Sequence, residues 1–140
     1  MTRGAGTVVD SSVLLDVFTA DPRWGAWSQA HLTEAAQRGA LVLNAVVLAE
    51  IAARFSRLEA LRSALPSMAV IEEIPLAGAF LAGHVHAAYR RAGGGRQAVL
   101  PDFLIGAHAA VTTRPLLTRD PSRIATYIPG VRLIAPTPEA

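Results

Sequence analysis

At 140 residues, with 51% hydrophobic and 17% charged side chains, the chain is long enough for one domain with a buried core and too apolar to be disordered. Its formal charge is +2 and all 13 basic residues are arginine, which excludes a phosphate loop built on lysine and Schiff-base catalysis alike. The absence of cysteine excludes disulfides, thiolate zinc sites and cysteine nucleophiles.

The apolar stretch after Arg3 is cut by Asp10, so no signal peptide is expected. Thr7 to Asp10 reads as a buried strand, and Ser11 or Ser12 can cap a following helix that runs to about Thr19. Asp21-Pro22 opens a second helix, periodic from Arg23 to Arg38 and stopped by Gly39. Leu41 to Leu43 is a second strand, and Val46 to Leu65 is one broken helix or two short ones, closed by Pro66. The segment from Ala40 to Ala53 is the longest apolar run, but Asn44 and Glu50 interrupt it and it falls short of the roughly 20 residues a spanning helix needs. A cytoplasmic protein that does not enter the membrane is expected.

The β-branched run Val70 to Ile74 is a third strand. Leu76 to Arg91 forms a long helix halted by Gly93-Gly94-Gly95, and Pro101 suits the first turn of a helix that continues from Asp102 to about Thr112. Pro115 to Thr118 is a fourth strand, Asp120-Pro121 begins a short helical turn, and Val131 to Ile134 is a last strand before a Pro-rich tail from about residue 135. Strands alternating with helices imply a single α/β domain over residues 1–140, its central sheet mostly parallel and covered by helices on both faces.

Four acidic residues fall at the ends of these elements. Asp10 closes the first strand, Glu50 follows the second, Asp102 opens a helix, and Asp120 follows the fourth strand. In a parallel sheet the carboxyl ends of the strands are where ligands bind. Gathered there, the four would repel one another unless a cation joined them. The economical cation is Mg²⁺ or Mn²⁺, both of which favour oxygen ligands. With four acids committed to a pocket, seven of the 11 remain to face 13 arginines, a basic surface suited to a polyanion. Taken singly, an Asp after a strand reads as a helix cap, and Asp16 reads as an exposed helix residue.

Three segments carry a family resemblance. Val8-Val9-Asp10-Ser11-Ser12-Val13-Leu14-Leu15, Val47-Leu48-Ala49-Glu50-Ile51, and Leu100 to Ala109 continuing to Leu116-Leu117-Thr118-Arg119-Asp120 resemble, in this order, the motifs of the PIN-domain family and its VapC-like ribonuclease toxins. The resemblance covers about Thr7 to Ile134 and implies a PIN-like three-layer α/β/α sandwich. It implies an endoribonuclease that uses Mg²⁺ or Mn²⁺, leaves 5′-phosphate and 3′-hydroxyl ends, inhibits translation, and is neutralised by a cognate antitoxin. It places Asp10, Glu50, Asp102 and Asp120 in the acidic positions, with Ser12 supporting the first. The chemistry adds the expectation that Asp10 and Asp102 bind the metal directly, that Glu50 and Asp120 bind directly, through water, or act as a base, and that Thr118 and Ser11 either support a carboxylate or phosphate or serve the local turn and cap. Gly106 departs from the alanine that related sequences often carry there.

Arg90, Arg91 and Arg96 bracket the three glycines and Arg119 adjoins Asp120, so these four are candidate contacts to an RNA backbone. Phe18, Trp24 and Trp27 pack in a core by default; the resemblance adds that they could line a groove for the antitoxin. A homodimer fits both the resemblance and the apolar composition. His84 and His86 are two apart on a helix and do not share a face, His108 is six residues from Asp102 and is expected to pack, and His31 has no evident partner. The competing reading is a catalytically idle PIN-like scaffold that binds RNA or protein.

Overall fold

In the computed structural model, which describes residues 5–95 and 99–137, five short strands form one sheet. They are β1 (Thr7–Val9), β2 (Leu41–Leu43), β3 (Ala69–Ile71), β4 (Leu116–Leu117) and β5 (Leu133–Ile134), ordered β3-β2-β1-β4-β5, and every neighbouring pair is parallel. Between them run α1 (Ser11–Phe18), α2 (Gly25–Arg38), α3 (Ala45–Ala52), α4 (Leu58–Ala64), α5 (Leu76–Arg91), α6 (Leu100–Val111) and α7 (Ser122–Tyr127).

Every residue of β1, β2 and β4 is buried. Successive strand residues point to opposite faces, so burial of all of them requires helices on both sides of the sheet. This is the three-layer α/β/α arrangement. The edge strands β3 and β5 are only partly covered. Phe103 and Ile105 of α6 complete a continuous core with Val8, Val9, Leu43 and Leu117.

The chain runs outward from β1 to β2 and β3, then returns to place β4 and β5 on the other side of β1. The order reverses between β1 and β4, and a crevice opens at such a reversal beyond the carboxyl ends of the strands. Asp10 directly follows β1, and Thr118 to Asp120 directly follow β4. The topology therefore delivers both segments to one place.

Several boundaries differ from the sequence reading. The third strand is Ala69–Ile71 rather than Val70 to Ile74, because Glu72 turns aside to bond an arginine and a histidine. The fourth and fifth strands are two residues each. Val46 to Leu65 resolves into two helices, α3 and α4. Asp10, not Ser11 or Ser12, occupies the N-cap position of α1, yet its side chain makes no capping bond. Asn44 does cap α3, accepting from the backbone N–H groups of Val46 and Val47. Asp21 accepts from the N–H groups of Arg23 and Trp24, and these bonds hold its carboxyl below the usual range as the chain enters α2.

Gly106 marks a close approach of two helices. A Cβ on Gly106 would lie 2.6 Å from Cδ1 of Ile124, so its absence lets α7 pack against α6. Among the described residues no helix is long and apolar enough to cross a membrane.

Candidate active site

The crevice is a cavity of about 530 Å³ whose walls include Asp10, Asp102, Asp120, Ser12, Arg119 and Arg123. Asp10 is anchored from two elements. Its Oδ2 accepts from Ser12 Oγ at 2.9 Å and from Thr118 Oγ1 at 2.8 Å. The same two hydroxyls accept from the turn after β4: Thr118 Oγ1 from the N–H of Asp120 at 3.1 Å, Ser12 Oγ from that of Arg119 at 3.4 Å. Ser12 and Thr118 thus join the end of β1 to the end of β4, with the Asp10 carboxylate between them. Among the described residues no hydrogen bond lands on its Oδ1. This geometry explains the missing cap, since the carboxylate is turned toward the cavity.

Glu50, on the last turn of α3, accepts from Ser11 Oγ at 2.7 Å, so neighbouring serines of α1 hold two different acids. Asp102 lies in the first turn of α6, where the helix dipole favours its charge. Its surroundings oppose that charge more strongly. Burial first, then the charges of Asp10, Glu50 and Asp120, push its carboxyl up to about 6, against the opposing pull of Arg123. Arg123 Nη1 lies 3.1 Å from Asp102 Oδ2. Asp120 is open to solvent, with its side chain 68% exposed. The other three expected acids are close enough for their charges to act on Asp102, although Glu50 does not line the cavity itself.

Asp16 is the correction. It was expected on the surface, but its side chain is only 3% exposed and pairs with Arg119, whose own side chain is 26% exposed. Arg119 Nε and Nη2 reach the two carboxylate oxygens at 2.9 and 3.1 Å, and Ser28 Oγ of α2 donates to Oδ2 at 2.8 Å. The bidentate bond raises the guanidinium's affinity for its proton still further. Arg119 also touches Asp120 at 3.3 Å, so the residue expected at an RNA backbone first ties α1 to the turn after β4. A lone acid within the apolar helix Ser11–Phe18 was the available signal for Asp16. Arg123 was missed altogether; its signal was an arginine three residues after Asp120 in the next helix.

Arg90 and Arg91 are exposed at the carboxyl end of α5, which packs along α6, and neither lines the cavity. Arg96 lies outside the described residues. Phe18 lines a separate apolar groove of about 310 Å³ with Leu14, Leu32 and Ala36. Trp24 and Trp27 do not line it. They sit at the entry and first turn of α2, edge to face at 6.4 Å, while the groove faces its later turns. Trp24 lies instead beside the guanidinium groups of Arg23 and Arg119, and Trp27 stacks on His31 at 4.1 Å.

A parallel α/β sheet with carboxylates gathered at its switch point belongs to the open α/β folds that take their ligands beyond the carboxyl ends of the strands. Within that class, residues 7–126 match the PIN domain family model, and the chain belongs to that family. The fold is similar to that of a chain in the VapBC2 complex of Rickettsia felis bound to a promoter DNA fragment, with a TM-score of 0.70 and 18% identity over 94% of this chain and 98% of that one. It is also similar to a chain of DNA-bound VapBC from Salmonella typhimurium, with a TM-score of 0.69 and 17% identity over 94% and 98%. A chain of a toxin–antitoxin complex from Klebsiella pneumoniae aligns with a TM-score of 0.62 and 23% identity over 90% and 95%. No curated protein matches the sequence.

Proposed function

We propose that this PIN domain is a divalent-metal-dependent endoribonuclease, the toxin of a toxin–antitoxin pair that acts in the cytoplasm and inhibits translation. The observation that carries the reading is the cavity at the switch point that gathers Asp10, Asp102 and Asp120, with Asp102 burdened by burial and by the repulsion of three neighbouring acids. A scaffold with no cation to bind would have no use for that repulsion.

The donor set suits Mg²⁺ or Mn²⁺, being carboxylate oxygens alone. Among the described residues no three acids or histidines form a ready-made cage, so the fit rests on the shared cavity and mutual repulsion. Asp10 and Asp102 would hold the ion, with Glu50 and Asp120 completing its surroundings directly or through water. When bound, the ion neutralises the phosphodiester oxygens and lowers the pKa of a water molecule.

The chain's own residues do the rest. Ser12 and Thr118 fix the Asp10 carboxylate, and Ser11 orients Glu50. Glu50 and Asp120, both exposed to solvent, are the two candidates to take a proton from water. Arg119 and Arg123 in the cavity wall, with the exposed Arg90 and Arg91 beyond it, supply positive charge for an RNA backbone. The apolar groove beside Phe18 suits an amphipathic segment of an antitoxin. Exposed Leu76 and Phe80 on α5 and Val70 and Ile71 on β3 suit a second copy of the chain.

The runner-up is an idle scaffold that binds RNA or protein. It is favoured by Arg123, which already places a positive charge on Asp102. A gel assay on total cellular RNA with Mg²⁺ or Mn²⁺ separates the two. Discrete fragments that vanish with chelator and in Asp10→Asn support the nuclease; a folded protein that binds RNA without cutting it supports the scaffold.

A further inference from the structure

A second polar cluster lies outside the acidic cavity and takes no part in the chemistry above. His108 is completely buried in α6, and both of its ring nitrogens have partners. Nδ1 is 2.9 Å from Asn44 Nδ2, and Nε2 is 2.8 Å from Glu72 Oε1. Asn44 is also completely buried and is the N-cap of α3. Glu72 follows β3 and accepts in addition from Arg114 Nη1 at 2.6 Å.

The hydrogen bonds determine the tautomer. Asn44 Oδ1 accepts from the N–H groups of Val46 and Val47 at 3.0 and 3.1 Å, so the oxygen of this amide must face the helix and its NH₂ must face His108. An NH₂ group can only donate. His108 Nδ1 is therefore the acceptor and carries no proton, and the proton is on Nε2, where it is donated to Glu72. The ring is a neutral connector with one direction of donation: Asn44 to His108 to Glu72. Turning the Asn44 amide over would break both capping bonds of α3.

This connector joins the two helices that bear acids. Asn44 starts α3, which carries Glu50; His108 is in α6, which carries Asp102; and α3 packs on α6. Each acid is six residues from its helix's anchor, about 9 Å along the axis at 1.5 Å per residue. A tilt of about 10° at the anchor moves a carboxylate by about 1.5 Å, and displacements near 1 Å are enough to cost about 100-fold in a reaction that depends on placement. We propose that the Asn44–His108–Glu72 bridge is a positioning device that fixes α3 against α6 and so holds Glu50 in place relative to Asp102 in the acidic cavity. The role in metal binding rests on the nuclease reading above; the tautomer does not.

Three variants test it. Asn44→Ser keeps a good capping residue but is too short to reach His108. His108→Leu fills the space without polar atoms. Asn44→Asp keeps the cap and offers His108 an acceptor, so the ring must take up a second proton and the bridge is rebuilt as imidazolium between two carboxylates. In ¹⁵N–¹H spectra of the full-length protein, with the His108 signals identified by their loss in His108→Leu, the unaltered protein should show a protonated Nε2 and a bare Nδ1. Asn44→Asp should show both nitrogens protonated.

Mn²⁺ titration by calorimetry should give a dissociation constant raised about tenfold in Asn44→Ser and His108→Leu, with kcat for RNA lowered and KM little changed, and near the original value in Asn44→Asp. Circular dichroism confirms that each variant is folded; if His108→Leu is not, the two Asn44 variants decide. A protonated Nδ1 in the unaltered protein overturns the bridge. Unchanged Mn²⁺ affinity in Asn44→Ser overturns the positioning role. If the unaltered protein binds no divalent ion while showing the protonated Nε2, the nuclease reading fails and the positioning role falls with it, but the bridge stands.

Discussion

Glu72 and Asp102 are both partly exposed acids on neighbouring elements, and the fold treats them in opposite ways. Glu72 receives Arg114 and the Nε2 proton of His108 on one oxygen, and these donors, the arginine above all, hold its carboxyl below the usual range despite partial burial. Asp102 has Arg123 at 3.1 Å but also three acids nearby, and its carboxyl is pushed up to about 6. Location alone does not separate them. The balance of donors and like charges does, and it separates a carboxylate whose charge is met within the fold from one whose charge its neighbours oppose.

Replacing the charge at each site should show this most strongly in activity. Asp102→Asn is expected to reduce metal-dependent RNA cleavage more than about 100-fold, because it removes a ligand and its charge together. The metal-free variant should melt at the same temperature as the original or higher at pH 7, since an ionised carboxylate repelled by its neighbours is gone. A lower melting temperature together with intact cleavage would reverse the assignment and make Asp102 the structural acid.

The ion pair that covers buried Asp16 beside the cavity is the next largest effect. Arg119→Ala leaves Asp16 enclosed without its cation, a change that costs about 3 kcal/mol at the lower end of what broken buried pairs lose. Urea denaturation measures it. The double change Asp16→Leu with Arg119→Met should recover most of the loss, because apolar residues remove both charges from the interior. Failure to recover would mean that Arg119 acts mainly through Asp120 and not through Asp16.

The two acids also predict opposite pH dependences for the metal-free protein. Asp102 binds its proton more tightly in the folded state than at its ordinary 3.8, so its contribution to stability is greatest at low pH and is lost as pH rises from about 4 through 6. Glu72 binds its proton less tightly than at its ordinary 4.5, so its contribution is present above that pH and is lost as pH falls through the lowered value. Melting curves from pH 3 to 8 should lose the decline between about pH 4 and 6 in Asp102→Asn and part of the acid-side decline in Glu72→Gln. Glu72→Gln is expected to cost about 1 kcal/mol at pH 7, reduced by the solvent that reaches Glu72. Added Mn²⁺ should raise the melting temperature more at pH 7 than at pH 5, where Asp102 is protonated.

Much of this was legible in the sequence because it depends on order along the chain. Apolar runs bounded by turn residues located all five strands, and Asp10 and Asp120 could be placed at strand ends because a parallel sheet brings those ends to one edge. What was not legible depends on pairings distant in sequence. Asp16 and Arg119 are 103 residues apart, and Asn44 and His108 are 64 apart. No periodicity connects such residues, so Asp16 was read as exposed. Trp27 packs against the core as its default reading has it, but sequence alone gives no indication that Trp24 lies beside Arg119 and not along the groove that Phe18 lines.

The smallest effect concerns how firmly the arginine on Asp102 is held. Arg123 is carried by α7, and α7 packs on α6 where Gly106 leaves room for Ile124. In Gly106→Ala the new methyl would sit 2.6 Å from Ile124 Cδ1 and 3.3 Å from Ile128 Cδ1, both of them ends of side chains that can rotate. Rotation costs about 1 kcal/mol, and alanine returns about as much in helix propensity over glycine. The expected change in stability is therefore within about 0.5 kcal/mol by urea denaturation. A loss well beyond 1 kcal/mol would mean that α7 cannot yield, so that Arg123 is held on Asp102 as rigidly as Arg114 is on Glu72 and the contrast between the two carboxylates rests on the neighbouring acids alone.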